Sequence, residues 1–159
     1  MLRSVKRAKI VVSLPKNRIS LGSLRLVGDD GSLIYGPVRA YGKADNAMAA
    51  SKGNPSRNTT LPFGDTPSGE YAIRFSPAPM ADRGTYGQYR VVFLDPLSGD
   101  ALKAENNGRS GLWLHGGSVR NGQLRPTYGC IRVDDSTMLE LYELSKQYRI
   151  ERLEVIDAE

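Results

Sequence analysis

The chain has 159 residues, a formal net charge of +5, and 40% hydrophobic and 25% charged residues. These values predict one globular domain over residues 1–159, with a core over about residues 9–157. The positive charge favours acidic partners such as nucleic acid, an anionic cell wall or membrane headgroups, although a solvated basic surface is the simpler interpretation. Because the basic residues are scattered and no nucleic-acid-binding motif accompanies them, we expect no nucleic-acid partner.

The sequence holds one cysteine and one histidine. A single cysteine excludes an internal disulfide, and this pair cannot supply the four ligands of a structural zinc site. We therefore expect a free thiol, no metal and no cofactor.

The N-terminal residues are basic, like the first region of a signal peptide. The apolar run that follows, Ile10–Leu14, is too short for the hydrophobic region of such a peptide, and no small-residue cleavage site follows it. No segment is long and apolar enough for a transmembrane helix. We therefore expect neither a visible signal peptide nor a membrane span.

Short strands are predicted in the first part of the chain. Runs rich in β-branched and apolar residues lie at Lys9–Leu14, Ser20–Val27 and Ser32–Val38. The first two of these would form a hairpin. A polar stretch from Tyr41 to Leu61 follows, and loops of this length are usually lids, binding loops or disordered segments.

The second part of the chain predicts further strands and one helix. Strands are expected at Glu70–Phe75, Gln88–Leu94 and Ile150–Ile156, with a connector over Ala101–Arg109. The only convincing helix is expected from Ser136 to about Tyr148, with Asp135 as its N-cap. Seven or eight short strands and one helix predict a mostly-β sandwich or barrel-like domain.

The histidine and the cysteine both lie in the stretch Leu112–Val133. Apolar residues lead directly to His115, as in a buried strand, and a flexible Gly-Gly pair follows. Alternation after the next turn places Cys130 and Arg132 on one strand face. Because a neighbouring imidazole commonly takes the proton of a cysteine nucleophile, this pattern predicts a catalytic Cys-His pair.

The neighbours of Cys130 fit acyl transfer. Gly129 has no side chain, so its own N–H and that of Cys130 would be open to bind an oxyanion. Arg132 could bind a carboxylate in a bidentate manner. Simpler interpretations exist for each residue. A lone cysteine or histidine is most often structural, Arg132 could pair with Asp134 or Asp135 at the surface, and Trp113 could be a packing aromatic.

These residues resemble the signature of L,D-transpeptidase catalytic domains of the YkuD type. The signature runs His-Gly, a spacer, then Ser/Thr-His-Gly-Cys-Ile/Val-Arg, and this chain has His115-Gly116 followed by Thr-Tyr-Gly-Cys-Ile-Arg at 127–132. A second stretch, Asp65–Ile73, is similar to the family pattern Thr-Pro-x-Gly-x-Phe/Tyr-x-Ile. The resemblance covers roughly residues 9–157 and implies a β-rich sandwich.

The resemblance implies roles for the site residues. Cys130 would be the nucleophile, His115 the base, the Gly116 carbonyl would fix the imidazole tautomer, and Gly129 would contribute to the oxyanion site. The substrate-binding candidates are Arg132, Tyr128, Thr127 and Trp113. The implied substrate is a peptidoglycan stem peptide, with an amine, a D-amino acid or water as acceptor and carbapenems as inhibitors.

Tyr128 departs from the family pattern, which has a second histidine there. Tyrosine cannot carry a proton at neutral pH, given its reference pKa of about 10, but it can stack or form one hydrogen bond. We expect this change to affect substrate choice more than chemistry, because the base of the family corresponds to His115.

Two alternatives remain from the sequence. One is a wall-binding module that keeps the fold and has lost turnover. The other is a toxin or phage-like enzyme of the same chemistry, delivered into another cell's envelope and paired with an immunity protein. The expected site of action is the periplasm or cell envelope. Because no signal peptide is visible in the sequence, we expect either that the chain has been trimmed or that the protein is delivered by another route.

Overall fold

The structure is a computed structural model that describes residues 6–158. Strands dominate this part of the chain. They are β1 (Arg7–Pro15), β2 (Gly22–Gly28), β3 (Leu33–Ala40), β4 (Gly69–Pro77), β5 (Arg90–Pro96), β6 (Trp113–His115), β7 (Val119–Arg120), β8 (Gln123–Leu124), β9 (Ile131–Arg132) and β10 (Arg149–Ala158).

Eight strands form one sheet in the order β3-β2-β1-β10-β4-β5-β6-β9, and β7 with β8 forms a separate two-stranded ribbon. The β1/β10 and β6/β9 pairs are parallel, and the other neighbours are antiparallel. The two edges of the sheet meet where Tyr41, just after β3, exchanges two backbone hydrogen bonds of 2.9 Å with Arg132 of β9. The sheet is therefore nearly closed into a barrel, which confirms the predicted mostly-β, barrel-like fold.

Alternate side chains of the longer strands fill the barrel. On β1 these are Ile10, Val12 and Leu14, all fully buried, because successive residues of a strand point to opposite faces. The remaining core comes from the other strands of the large sheet and from residues outside it, among them Ala101, Met138 and Leu141. Burial of this apolar surface is the main force that holds the strands together.

Four α-helices lie outside the sheet in residues 6–158, where the sequence predicted one. They are α1 (Asn46–Ser51), α2 (Arg83–Tyr86), α3 (Gly99–Asn106) and α4 (Asp135–Leu144), with a 3-10 turn at Met80–Asp82 before α2. The predicted connector from Ala101 is thus largely the helix α3. The predicted helix exists as α4 but ends at Leu144, and its N-cap residue is Asp134 rather than Asp135.

The polar stretch between β3 and β4 has structure of its own, unlike the expected long loop. Asp45 caps α1 by accepting a hydrogen bond from the Met48 amide at 2.9 Å. After the helix, the Asn54 amide group donates to the carbonyls of Asn58 and Pro62. These local bonds replace the missing strand pairing and shape one wall of the pocket described below.

Within residues 6–158, the structure has no helix long and apolar enough to cross a membrane.

Candidate functional site

A pocket of about 420 Å³ opens beside β6 and β9. Both His115 and Cys130 line it. Other walls come from the segment around α2, from the loop before β6 and from the loop before β9, including Tyr86, Arg109, Thr127, Tyr128 and Arg132. The sequence prediction that the histidine and the cysteine share one site agrees with this placement.

The parallel pairing of β6 and β9 brings these residues together. Leu114 lies opposite Ile131 and His115 opposite Arg132. Leu114 and Ile131 are fully buried in the core, so their neighbours in sequence point to the other side of the sheet. This alternation agrees with the predicted common face of Cys130 and Arg132, although β9 is shorter than the predicted strand, which included Cys130.

The imidazole of His115 is 1% exposed and fixed on one side. Its Nδ1 lies 2.7 Å from the Gly116 carbonyl oxygen, so Nδ1 carries the proton and Nε2 is left as the acceptor. The Tyr86 ring meets it edge-on with a centroid distance of 5.0 Å. Burial, together with the positive charge of Arg132, lowers the pKa of His115 from 6.5 to about 4. The imidazole is therefore neutral at pH 7 and able to accept a proton.

The thiol of Cys130 is partly exposed in the pocket. The Trp113 amide donates to Sγ at 3.4 Å, and Sγ lies 3.6 Å from the Gly111 carbonyl oxygen. Desolvation raises the pKa of the thiol, and the Trp113 N–H and the nearby charges of Arg109 and Arg132 oppose this effect. The resting pair at pH 7 is therefore a neutral thiol and a neutral imidazole.

No hydrogen bond joins Cys130 Sγ to the His115 ring in the described part of the chain. Catalytic hydrogen bonds often tighten only when substrate binds, so the shared pocket is compatible with a working pair. The direct contact between the two side chains stays a prediction.

The amides next to Cys130 differ from the sequence prediction, which left both open. The buried Gly129 N–H donates to Thr127 Oγ1 at 2.9 Å, and the same hydroxyl donates to the Cys130 carbonyl at 2.8 Å. Gly129 therefore has no free donor for an oxyanion. The Cys130 N–H has no acceptor among residues 6–158 and remains available.

Arg132 is 3% exposed and does not pair with Asp134 or Asp135, which corrects one interpretation of the sequence. Its guanidinium donates to the carbonyls of Gly116, Arg125, Pro126 and Thr85 at 2.8–3.2 Å. These bonds use four of its five N–H groups. Bidentate binding of a carboxylate would have to break at least one of these bonds. In the structure, the Arg132 side chain instead connects the segments that form the pocket walls.

The two aromatic candidates have different surroundings. Trp113 packs against Tyr86 and Phe93, each at a centroid distance of 4.9 Å, behind the pocket wall. Tyr128 lines the pocket, is 58% exposed and has a tilted contact with Phe63 at 6.3 Å. Tyr128 is therefore placed to meet a ligand directly, and Trp113 acts through its backbone amide on the thiol.

Arg109 belongs to the site although the sequence did not predict it. This side chain is 5% exposed, lines the pocket and donates to the carbonyls of Thr59 and Asp65 at 2.7 and 2.9 Å and to that of Gly64. Its bonds hold the loop before β4 against the loop before β6. The one signal in the sequence is an arginine between glycines, Gly108 and Gly111, directly before a buried strand.

Asp135 and Tyr86 were also missed as parts of the site. Asp135 Oδ1 accepts a hydrogen bond from Gly117 N–H at 3.0 Å, so the residue expected to cap a helix instead supports the turn after His115. A side chain on Gly116 would collide with this carboxylate.

In the described residues, no three potential metal ligands of the types His, Cys, Asp and Glu come together.

Comparisons with known proteins identify the family and the fold. The family model of the L,D-transpeptidase catalytic domain (YkuD) matches residues 7–150. Among curated proteins, no match was found. Two solved structures share the fold: Bd1075 of Bdellovibrio bacteriovorus, with TM-score 0.60 and 16% identity, and the helical cell shape determining protein Pgp2 of Campylobacter jejuni, with TM-score 0.51 and 15% identity.

The alignments cover 96% of this chain and 49% of the Bd1075 chain, and 98% of this chain and 51% of the Pgp2 chain. The chain thus spans about half of the length of these solved structures. Because the family model covers most of the sequence and the barrel has the same fold, the chain belongs to the YkuD family of L,D-transpeptidase catalytic domains.

Proposed function

We propose that the domain is a cysteine acyltransferase that acts on peptidoglycan stem peptides through a thioester on Cys130. The observation that carries the proposal is the shared pocket, which is lined both by the partly exposed thiol and by a buried, neutral imidazole whose Nδ1 donates to the Gly116 carbonyl. The free Nε2 of this neutral imidazole can accept the proton of the thiol once substrate binding brings the two side chains into hydrogen-bond distance.

The first half-reaction forms the thioester. His115 Nε2 takes the proton of Cys130 Sγ as the sulfur adds to the amide carbonyl that joins the L-centre of a diamino acid to D-alanine. The carbonyl electrons move to its oxygen, and the Cys130 N–H donates to this oxyanion. When the C–N bond breaks, His115 returns its proton to the amine, and D-alanine leaves.

The second half-reaction frees the enzyme. An amine of another stem, a free D-amino acid or water gives a proton to His115 and adds to the thioester carbonyl. The C–S bond breaks, and the thiolate takes the proton back from the imidazolium. The three acceptors give transpeptidation, exchange and L,D-carboxypeptidase activity respectively, all with the same two side chains.

The fold also supports the assignment to the cell wall. Membership of the L,D-transpeptidase family supports a peptidoglycan substrate, and a protein with the same fold, Pgp2, is named as a determinant of helical cell shape. We therefore propose the cell envelope as the site of action. A delivered toxin with an immunity protein would use the same pocket, and genomic neighbours would identify it.

The test is mass spectrometry of the intact protein after incubation with a carbapenem. Opening of the β-lactam ring expels nothing, so the wild-type protein should gain the mass of the whole drug once, on Cys130. Incubation with disaccharide-tetrapeptide should release D-alanine, and the second product identifies the acceptor.

One variant and one further reagent serve as controls. Cys130→Ala should show no adduct, because the chain has one cysteine. Wild-type protein that reacts with iodoacetamide and not with any carbapenem or stem peptide would sink the proposal, since its thiol would be accessible and yet not catalytic.

A further inference from the structure

Thr66 belongs to the second stretch that resembles the family, Asp65–Ile73, and the proposed mechanism gives this stretch no role. Its side chain is fully buried. The Thr66 hydroxyl donates to the Gly129 carbonyl oxygen at 2.7 Å, across a separation of 63 residues in sequence. A threonine outside the signature motif is therefore bonded to the peptide directly before Cys130.

This bond fixes the direction of the next amide. The Gly129–Cys130 peptide bond is trans. In a planar trans peptide the C=O and the following N–H point in opposite directions. Because Thr66 holds the Gly129 C=O on the buried side, the Cys130 N–H points away from Thr66, and it has no acceptor among the described residues.

A second clamp holds the peptides on each side. Thr127 Oγ1 accepts from the Gly129 N–H at 2.9 Å and donates to the Cys130 carbonyl at 2.8 Å. With both carbonyls and the Gly129 amide bonded, the Cys130 N–H is the one backbone donor of this two-residue segment left without a partner among residues 6–158.

Thr66 is itself anchored to the barrel. Arg18, 2% exposed, donates through Nε to the Thr66 carbonyl at 3.0 Å, and its Nη1 lies 2.6 Å from Asp157 Oδ1. The Thr66 amide donates to the Gly42 carbonyl at 2.9 Å. The hydroxyl is thus held at a fixed point relative to β1 and β10 and transfers that rigidity to the Cys130 turn.

We propose that Thr66 is a positioning residue that aims the Cys130 N–H at the oxyanion of the acyl-transfer intermediate. The inference rests on the proposed acyl transfer at Cys130. When the sulfur adds to the carbonyl carbon, the π electrons move to oxygen and the aimed N–H donates to it. No proton leaves the amide, and the electrons return when the C–N bond breaks.

The expected effect follows from what the hydroxyl does. Complete removal of one oxyanion donor costs about 10²–10³ in kcat. Thr66→Val keeps the Cys130 amide but frees the Gly129 carbonyl to rotate, so we expect a loss of roughly tenfold to a hundredfold in maximal acylation rate. The concentration of carbapenem that gives half this rate should stay the same, because the pocket walls are unchanged.

The experiment compares two reactions of the same thiol in the full chain. Carbapenem acylation forms an oxyanion. Alkylation by iodoacetamide forms a C–S bond and expels iodide with no charge on the carbonyl oxygen. Thr66→Val should slow the first and leave the second unchanged, Thr66→Ser should restore the first, and Thr137→Val, which also removes a buried threonine hydroxyl, should alter neither.

Several results would overturn the inference. Equal losses in both reactions would show that Thr66 only places the thiol, and an unchanged acylation rate or a failed rescue by Thr66→Ser would remove its role. If Thr66→Val does not fold, wild-type protein decides: the Cys130 amide proton resonance should move downfield in the carbapenem adduct, and an unmoved resonance overturns the inference. Wild-type protein that alkylates and never acylates refutes the proposed function as well.

Discussion

The two sides of the barrel hold their backbones in different ways. On one side, β1 pairs along its whole length, nine residues, with β10, and its inward side chains are apolar. On the pocket side, β6 and β9 pair at only two positions. There, the buried guanidinium groups of Arg109 and Arg132 bind seven backbone carbonyls between them.

The difference shows what replaces a sheet where a site must stay open. Buried carbonyls need donors, and a regular ladder supplies them on the β1 side. Around the pocket the ladder stops, so arginine and threonine side chains supply them instead. We expect substitutions on the β1 side to change stability and those on the pocket side to change chemistry.

The largest effect should come from the base on the pocket side. His115→Asn keeps a donor for the Gly116 carbonyl and removes the free ring nitrogen, so acylation of Cys130 should slow by about 10²–10⁴. Intact-mass time courses with a carbapenem measure this rate. A loss of less than tenfold would assign the proton to another group.

On the β1 side, Leu153→Ala should lower the free energy of unfolding by about 2–5 kcal/mol, because it opens a cavity in a fully buried part of β10. The acylation rate per folded molecule should not change. Denaturant unfolding gives the stability, and Ile156→Ala, 40% exposed on the same strand, is the matched control with an expected change of about 0.5 kcal/mol or less. A catalytic defect in folded Leu153→Ala would break the division between the two sides.

Acid should destabilise the folded protein through the pocket side. The pKa of His115 is lowered from 6.5 to about 4 in the folded chain. Between these values the unfolded chain takes up the proton first, so stability present above pH 6.5 is lost as the pH falls towards 4, by about 3 kcal/mol in total.

Denaturant unfolding at a series of pH values measures this loss, and His115→Asn separates it from carboxylate titration. The chain has one histidine, so the difference between the two curves belongs to that side chain. Parallel curves for the two proteins would show that the ring titrates normally when folded.

The smallest effect is expected at Tyr128. Because this side chain is exposed at the pocket and His115 is the proposed base, Tyr128→His should change KM or donor preference and alter kcat by less than roughly tenfold. Steady-state release of D-alanine from tetrapeptide measures both constants. A large gain in kcat would mean that the natural protein lacks a catalytic group.

Much of the barrel could be predicted from sequence because its long strands alternate clearly, as on β1 and β10. The helix α3 was missed because its buried residues are two small alanines, Ala101 and Ala104, which give no apolar stripe. The helix α1 was missed for a similar reason: its six residues lie in a polar stretch and depend on the Asp45 cap.

For the site, local pattern and family resemblance together predicted that His115 and Cys130 belong to one place. The contacts that hold this place together were not predictable. Arg109 binds carbonyls more than 40 residues away in sequence, and Thr66 reaches Gly129 across 63 residues. Such bonds depend on how the strands pack, and they produce no periodic pattern of residues in the sequence from which they could be predicted.

The closing bridge between Tyr41 and Arg132 has a consequence for how the protein matures. It joins the two edges of the sheet, so the barrel is closed only when all of its strands are in place. The side chain of Arg132 also gathers three segments of the pocket wall. A chain whose barrel has not closed would therefore lack the assembled pocket, and the reactivity that we propose for Cys130 would depend on the finished barrel.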